Sequence, residues 1–353
     1  MQTTFRPLAG RRHSLWKPML RFILQRILAA IPILFVLSVV SFGIIKATPG
    51  DYGDVLRTRL MNQGGASFEQ ADLEAQHYRA EHGLLDPIPV QYARWMKGIL
   101  LHADFGESFN TNEPVGDLVA RRLPATLALA LTCHILASIF GIGLGVIAAT
   151  NQYRWPDTIL SIVAFLGTTI PRFLLGIIMV YILVFRFNAL TVGSFFSPEY
   201  GGEPWSWGKF IDLVKHVWPV VAIATFGGLA YNMRVMRGNL LDTLSAQYVE
   251  TARAKGLSDS AAVLKHALPN ALHPLIAYQG VVLPYMLTGE IETAIIFALP
   301  TIGPAMVQAM YIGDAYVAAT FMLIIATTLI VGNIIADLLL GLLDPRVRLQ
   351  SAA

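Results

Sequence analysis

An apolar run of membrane-spanning length limits what this chain can fold into. Phe22 to Ile45 is 24 residues long, and only Gln25 and Arg26, near its start, interrupt it. A helix needs about 20 residues to cross the hydrocarbon core of a bilayer. The run is longer than the apolar core of a signal peptide, and no small-x-small cleavage site follows it. We therefore expect an uncleaved first transmembrane helix over 22–46.

Five further apolar segments have the same character. They lie near 124–149, 157–185, 217–238, 273–298 and 317–343. The chain has 55% hydrophobic and 14% charged residues, whereas soluble domains carry about 25% charged residues. These features predict an all-α integral membrane protein with six transmembrane helices.

The distribution of Lys and Arg predicts the orientation of the spans. Segments expected to be cytoplasmic hold fourteen of these residues, and the two short external loops hold three. The positive-inside rule then places the basic N-terminal segment 1–21 and the tail 344–353 in the cytoplasm. The polar segment 47–123 becomes a large external insertion, with helices expected near 68–82 and 88–101.

A polar stretch lies between two apolar blocks, within the cytoplasmic segment 239–272. From Leu240 to Lys255 it contains neither Gly nor Pro and is rich in helix-forming residues, which predicts a helix. Gly256 suits a left-handed position after that helix, and Ser258 can cap a second short helix. We expect a helix–turn–helix elbow on the cytoplasmic side.

The same stretch resembles a known family. Glu250-Thr-Ala252, Gly256 six residues after the glutamate, and Leu268-Pro269 resemble the EAA loop of bacterial ABC importer permeases. Other short motifs between residues 20 and 350 are similar to the oligopeptide, dipeptide and nickel branch of that family, in its first-permease (B-type) form. They include Thr48-Pro-Gly-Asp51 and Arg122-Leu-Pro-Ala-Thr126.

The resemblance implies a multi-pass permease of the bacterial inner membrane. Two homologous permease chains would form the pathway, two ATP-binding subunits would bind their cytoplasmic loops, and a periplasmic binding protein would deliver the solute. The ATPase-docking residues that it implies are Glu250, Thr251, Ala252, Arg253, Lys255, Gly256 and Leu257. ATP and Mg would be bound by the partner subunits, and this coupling helix would transmit their closure. We expect no cofactor, no metal and no nucleic acid on this chain.

A charge inside a predicted span marks a candidate pathway. Arg172 follows Asp157 by fifteen residues, roughly 22 Å along a straight helix. At that depth an unpaired charge costs at least about 2.5–3.5 kcal/mol. We predict that Arg172 either pairs with Glu290 or Glu292, of which at most one can face it, or lines an aqueous pathway.

Other polar side chains in the spans are weaker candidates. Tyr231, Asn232 and Gln279 are further candidate pathway residues. His134, alone on an apolar span, is expected to be packed rather than to carry protons. Two words depart from the family pattern: Ala294 stands where the family usually has Glu, and Gly313-Asp-Ala-Tyr316 replaces Arg-Asp-Tyr-Pro. Because of these departures, the resemblance determines neither the cargo nor the residues of the external gate.

Motifs of enzymes are absent from the sequence. It contains no GxxxxGK[ST] loop, no GxSxG and no HExxH, and its one cysteine, Cys133, can form neither an internal disulfide nor a cysteine metal cluster. We predict a permease subunit that is not itself an enzyme, with peptides as cargo. Oligosaccharides, opines or nickel complexes are alternative cargoes. A self-sufficient secondary transporter is the alternative from another class, although no inverted repeat supports it.

Overall fold

The computed structural model is mostly helical in the parts of the chain that it describes, which are residues 16–189, 193–276, 278 and 291–343. No strand forms among these residues, and one isolated antiparallel bridge joins Glu107 to Pro114. The helices are α1 (Trp16–Ala47), α2 (Tyr52–Gln63), α3 (Phe68–Glu81), α4 (Ile88–His102), α5 (Val115–Thr150), α6 (Trp155–Thr169), α7 (Arg172–Tyr181), α8 (Trp207–Leu244), α9 (Gln247–Ala254), α10 (Asp259–Ala262), α11 (268–276), α12 (Ile291–Ile296), α13 (Ile302–Ile312) and α14 (Ala315–Leu343). Two π-helical turns, Ile182–Arg186 and Val263–Ala267, continue α7 and α10. The predicted helical class is confirmed.

Several of these helices have the length and composition of membrane spans. Among the described residues, α1, α5, α8 and α14 are long and apolar enough to cross a membrane, and the bent pair α6–α7 makes a fifth if it counts as one span. Half of the expected span 273–298 lies outside the described residues, which include its ends, 273–276 and 291–298, and Tyr278. The number of six spans therefore stays a prediction.

Helices α5 and α8 make the most extensive helix–helix contact in the described part of the chain. A Cβ at Gly141 or Gly145 of α5 would lie 2.6 Å from the side chain of Asn232 or Met236 of α8, respectively. At Gly143, between them, a Cβ would have nothing within 4 Å. Small residues at the first two positions thus let the helix backbones approach closely.

The insertion (residues 47–123) contributes three helices. Helices α3 and α4 match those predicted near 68–82 and 88–101. Helix α2 is an addition that the sequence analysis missed, although Asp51 and Asp54 form a capping box at its start, which is a recognisable signal.

Ion pairs and aromatic contacts hold the insertion together and fix it to the spans. Arg79 of α3 binds the carboxylates of Asp51 and Asp54, with N–O distances of 2.8 and 2.9 Å. Trp95 of α4 packs against Phe42 of α1, with ring centroids 5.6 Å apart, in a cluster that includes residues at the start of α14. The insertion is therefore seated on one end of α1 and α14.

The expected single helix over 157–185 is two helices. Helix α6 ends at Thr169, α7 begins at Arg172, and their axes are bent by 98°. Pro171 causes the break, since it lacks an N–H and forces the preceding Ile170 into an extended conformation (ψ 125°). The depth of Arg172 counted along a straight helix is therefore wrong, because Arg172 occupies the first turn of a new helix.

The expected helix over 240–255 is also interrupted. It consists of the end of α8 and all of α9, joined through Ser245 and Ala246, and Ala246 is extended (φ −75°, ψ 140°). The hydroxyl of Ser245 donates to the carbonyl oxygen of Asp242 at 2.8 Å. Such local side-chain bonds compete with helix propagation, which explains why the absence of Gly and Pro did not give one helix.

Candidate functional site

The elbow (residues 247–267) is built on one left-handed glycine and one serine cap. Gly256 has φ +87°, and a Cβ there would have nothing within 4 Å, so backbone conformation rather than crowding selects glycine. The hydroxyl oxygen of Ser258 accepts the backbone N–H of Ala261 at 3.3 Å. Both local predictions are confirmed, and the turn sets the angle between α9 and α10.

The inner face of the elbow is fixed to the long helices. Val249 and Ala262 are fully buried, and Ala267 joins them in one apolar cluster. The cluster also contains Met236 and Leu240 of α8. Because packed apolar side chains transmit displacement with little compression, a force on the elbow acts directly on α8.

Most residues predicted to dock a partner lie on the outer face of the elbow. Glu250, Thr251, Arg253, Lys255 and Gly256 are exposed, and Leu257 is partly exposed. Ala252 is different, since it is 7% exposed and faces the chain itself. It is thus a small packing residue beneath the surface, and its predicted role in docking stays a prediction.

One charge of the outer face has a partner within the elbow. Arg253 Nε lies 3.1 Å from Asp259 Oδ1, across the turn at Gly256. Both side chains are largely exposed, so the pair contributes little stability but orients the guanidinium. Lys255 is exposed beside it.

The sequence analysis missed two apolar members of the outer face. Tyr248 of α9 is 45% exposed, and Leu264, in the π-helical turn, is 58% exposed. The sequence pattern could have predicted their exposure. Each is adjacent in a helix to a buried valine, Val249 or Val263, and adjacent helical residues point in different directions. The outer face therefore combines apolar anchors with charges, the composition expected of a docking surface.

A second feature is the inter-helix cavity, of about 690 Å³, bordered by α5, α6, α7, α8 and α12. Arg172 and Glu292 both line it, and so do the predicted candidates Tyr231 and Asn232. The break at Pro171 forms part of its wall. Irregular backbone at membrane depth is tolerated where it lines such a cavity.

Arg172 reaches this cavity from the first turn of α7. Its guanidinium lies over Gly227 of α8, where a Cβ would come within 3.0 Å of Arg172 Nε. Glu292 borders the same space, whereas Glu290 lies outside the described residues. Arg172 therefore does not face only lipid. Both predicted roles, an ion pair and a pathway wall, are compatible with this position.

The remaining candidates differ in their surroundings. Asn232 is 4% exposed and donates from Nδ2 to the carbonyl oxygen of Ala137 at 3.2 Å, so it bridges α8 and α5. Tyr231 stacks on Tyr278, with ring centroids 4.7 Å apart. Gln279 lies outside the described residues. His134 borders the cavity and Arg234 does too, which the sequence analysis did not anticipate.

Comparison with known proteins identifies the class of molecule that carries this elbow and cavity. Residues 141–349 match the family described as the binding-protein-dependent transport system inner membrane component, and residues 19–130 match the N-terminal part of such membrane components. The chain belongs to this family. It is thus an inner-membrane permease subunit of an ABC importer and is not itself an enzyme.

Individual relatives cover nearly the whole chain. The oligopeptide transport system permease protein AppB of Bacillus subtilis is 35% identical over 332 residues, 93% of this chain and 99% of the relative. The probable peptide ABC transporter permease y4tP of Sinorhizobium fredii is 31% identical over 327 residues, with the same coverage. A putative peptide transport permease of Brucella abortus is 32% identical over 94% of this chain and 99% of the relative.

In the described part of the chain, no group of three His, Cys, Asp or Glu side chains is arranged to hold a metal ion. The single cysteine, Cys133, is buried in an apolar cluster with residues of α8 and α12.

Proposed function

We propose that this permease forms half of a peptide pathway, with six spans and both termini in the cytoplasm. Its 31–35% identical relatives are named for peptide or oligopeptide transport, which supports the cargo class. The concentration of Lys and Arg in the termini and the elbow segment supports the orientation. A second permease chain supplies the other half, and a binding protein on the external side delivers the peptide.

In this proposal the outer face of the elbow docks in a groove of an ATP-binding subunit, which also holds ATP and Mg. Tyr248 and Leu264 supply apolar contact, and Glu250 and Lys255 supply charged contact at their side. A short helix whose exposed face enters a groove is a common mode of recognition. Two ATP-binding subunits serve the two permease chains.

The observation that carries the proposal is the connection from elbow to cavity through one helix. Met236 and Leu240 of α8 pack against the elbow, and Gly227 and Tyr231 of the same helix border the inter-helix cavity. The positions from 227 to 240 span about 20 Å of helix. Closure of the ATPase can therefore bias the arrangement of the pathway, provided that its two states bind the elbow differently.

The inter-helix cavity suits a peptide in its chemistry. Arg172 and Glu292 offer opposite charges to the two ends of a peptide, and the stacked Tyr231 and Tyr278 offer sequence-independent apolar contact. Its volume of about 690 Å³ is within the range of small-molecule sites. A pathway needs this kind of weak, general contact because bound cargo must leave again.

The test is a detergent pull-down of the ATP-binding subunit by the intact chain and by a double variant, Gly256→Pro with Glu250→Arg. We expect the intact chain to retain the ATPase and the variant to lose it, since proline cannot adopt the φ of Gly256. Glu74→Arg, an exposed charge reversal in the insertion, is the matched control and should retain the ATPase. Protection of Cys133 from a thiol reagent reports that each variant is folded.

The alternative class is decided by the same preparation. Orthovanadate should stop uptake by the reconstituted importer. If the intact chain retains no ATPase and still transports when reconstituted alone, with uptake insensitive to orthovanadate, the chain is a secondary transporter and the docking role of the elbow is refuted.

A further inference from the structure

A second cavity, of about 290 Å³, lies where the insertion meets the ends of α1 and α14. Phe42 of α1, Tyr52, Tyr78 and Trp95 of the insertion, and Tyr316 of α14 provide its aromatic walls. We call it the insertion cavity. It is separate from the inter-helix cavity and from the elbow, so the transport pathway does not account for it.

The aromatic walls are held in fixed contact with one another. The rings of Tyr52 and Tyr78 have centroids 4.8 Å apart, and Phe42 and Trp95 lie 5.6 Å apart. His82, which also lines the cavity, stacks on Tyr78 with ring centroids 3.8 Å apart. Ring faces grouped in this way carry the negative part of the aromatic quadrupole, which attracts cations.

Two carboxylates border the same space. Asp104 and Glu107 both line the insertion cavity, and neither forms an ion pair with another residue that the structure describes. Arg94 also lines it, but its charge is balanced by an ion pair with Asp86. The cavity therefore has a net negative wall.

Glu107 acts on the aromatic residues. Burial, and after it the negative charge of Glu107, raises the pKa of the Tyr78 hydroxyl, and the same two causes raise that of Tyr52. Glu107, Tyr52 and Tyr78 line the same cavity, so one occupant can contact the carboxylate and both rings. Carboxylate and ring faces together favour a cation with an apolar stem, which describes the side chain of Lys or Arg.

We propose that the insertion cavity receives a Lys or Arg side chain of the substrate-binding protein when that protein docks. The insertion carries eleven Asp and Glu against seven Lys and Arg, although the whole chain has a net charge of +3. A basic patch on the binding protein is therefore steered to this face of the permease. The inference rests on the proposed function, because it requires that the insertion lies on the external side.

The position of the cavity connects an occupant to the spans. Phe42 and Tyr316 belong to helices that are long and apolar enough to cross a membrane, so the occupant touches α1 and α14 as well as the insertion. Asp314, 2% exposed at the start of α14, accepts a hydrogen bond from the Ser108 hydroxyl at 2.6 Å. This bond fixes the loop that bears Glu107 to the start of α14. A change in that loop on docking is therefore transmitted to α14.

The experiment measures binding of the importer's purified substrate-binding protein to the complete importer in lipid nanodiscs. Glu107→Gln should weaken the Kd about tenfold. Glu74→Gln removes the same charge from an exposed position outside the cavity and should stay within about twofold. Tyr78→Phe keeps the ring face and should bind as the native chain does, whereas Tyr78→Leu should weaken binding by a similar factor to Glu107→Gln.

A charge exchange adds a positive test. Glu107→Lys should abolish tight binding, and Lys→Glu or Arg→Glu at one position of the binding protein should restore it. Restoration at one position identifies the occupant.

The contrary outcomes are distinct. If Glu107→Gln and Glu74→Gln weaken binding equally, or if Tyr78→Leu has no effect, the charge acts only by long-range steering and the cavity proposal is refuted. If the native importer retains its ATPase but Glu107→Gln leaves the Kd unchanged, the cavity proposal fails and the proposed function stands. If the native importer binds no substrate-binding protein, both fail.

Discussion

The glycines of α5 allow a prediction in which one position controls for another. Gly141→Ala and Gly145→Ala each place a methyl group 2.6 Å from a side chain of α8 and 2.8 Å from a backbone carbonyl oxygen of α8. Gly143→Ala places the same methyl group in open space. All three substitutions lie within the last ten residues of α5, so they differ mainly in what the methyl group meets.

The difference between positions can be estimated directly. Replacing Gly by Ala in a helix gains up to about 1 kcal/mol from backbone entropy, and this gain is common to all three variants. Overpacking a tight contact costs about 1–3 kcal/mol. The backbone carbonyl cannot rotate away as a side chain can, so α5 and α8 must separate. We expect Gly141→Ala and Gly145→Ala to be about 1–3 kcal/mol less stable than Gly143→Ala.

Cys133 provides the assay. It is the only cysteine of the chain, it is fully buried, and it lies in a cluster that joins α5 to α8. A thiol-reactive fluorophore therefore reports separation of these helices during a thermal ramp in detergent, with one signal and no background thiol. Gly143→Ala should melt at or above the temperature of the native chain, and the other two variants should melt below it. If Gly143→Ala and Gly145→Ala melt together, close contact does not decide the packing of α5 on α8.

Two further predictions concern ion pairs. Asp157, which is 4% exposed, binds Arg237 through contacts of 2.5 and 2.8 Å. Asp157→Leu should therefore lower the stability measured in the Cys133 melt by about 3 kcal/mol, because it leaves the Arg237 charge without its partner. Arg253→Gln removes one member of an exposed pair and should cost under about 1 kcal/mol, so equal losses in the two variants would refute the prediction. Although burial opposes it, hydrogen bonds from the Asp51 N–H and from Arg79 lower the pKa of Asp54 below its ordinary 3.8. Its stabilisation is therefore complete above about pH 4 and is lost as the pH falls through the lower, folded value. Hydrogen exchange of α2 should accelerate there, and Asp54→Asn should remove that acid dependence; an unchanged acid profile would refute it.

Local rules predicted the local features well. The left-handed Gly256 and the Ser258 cap depend only on neighbouring residues, so the sequence was sufficient for both. Ala252 depended on the fold instead. The family motif that contains Ala252 suggested a residue at the docking surface. Which side of α9 is buried is decided by how α9 packs on the apolar cluster around Leu240.

The proline residues show where local rules stop. Pro32, Pro124 and Pro219 lie inside continuous helices, and Pro171 ends one. Because all four residues are prolines, residue type alone does not decide whether the helix continues or breaks. The result depends on whether the backbone groups that lose their helical hydrogen bond are satisfied by other partners. At Pro171 the broken backbone borders the inter-helix cavity, and no pattern in the sequence gives the position of that cavity.

Helix α8 has a further mechanical consequence. Its 38 residues form one element, about 57 Å long at 1.5 Å per residue, which exceeds the ~30 Å hydrocarbon core of a bilayer. Its contact with Gly141 and Gly145, made by residues 229–236, lies about two-thirds of the way along that length. A tilt of about 5° around this contact would displace the Trp207 end by roughly 3 Å and the Leu244 end by roughly 1.5 Å, in opposite directions. The glycine contact would then be a fulcrum, so that opening at one membrane face and closing at the other are a single movement.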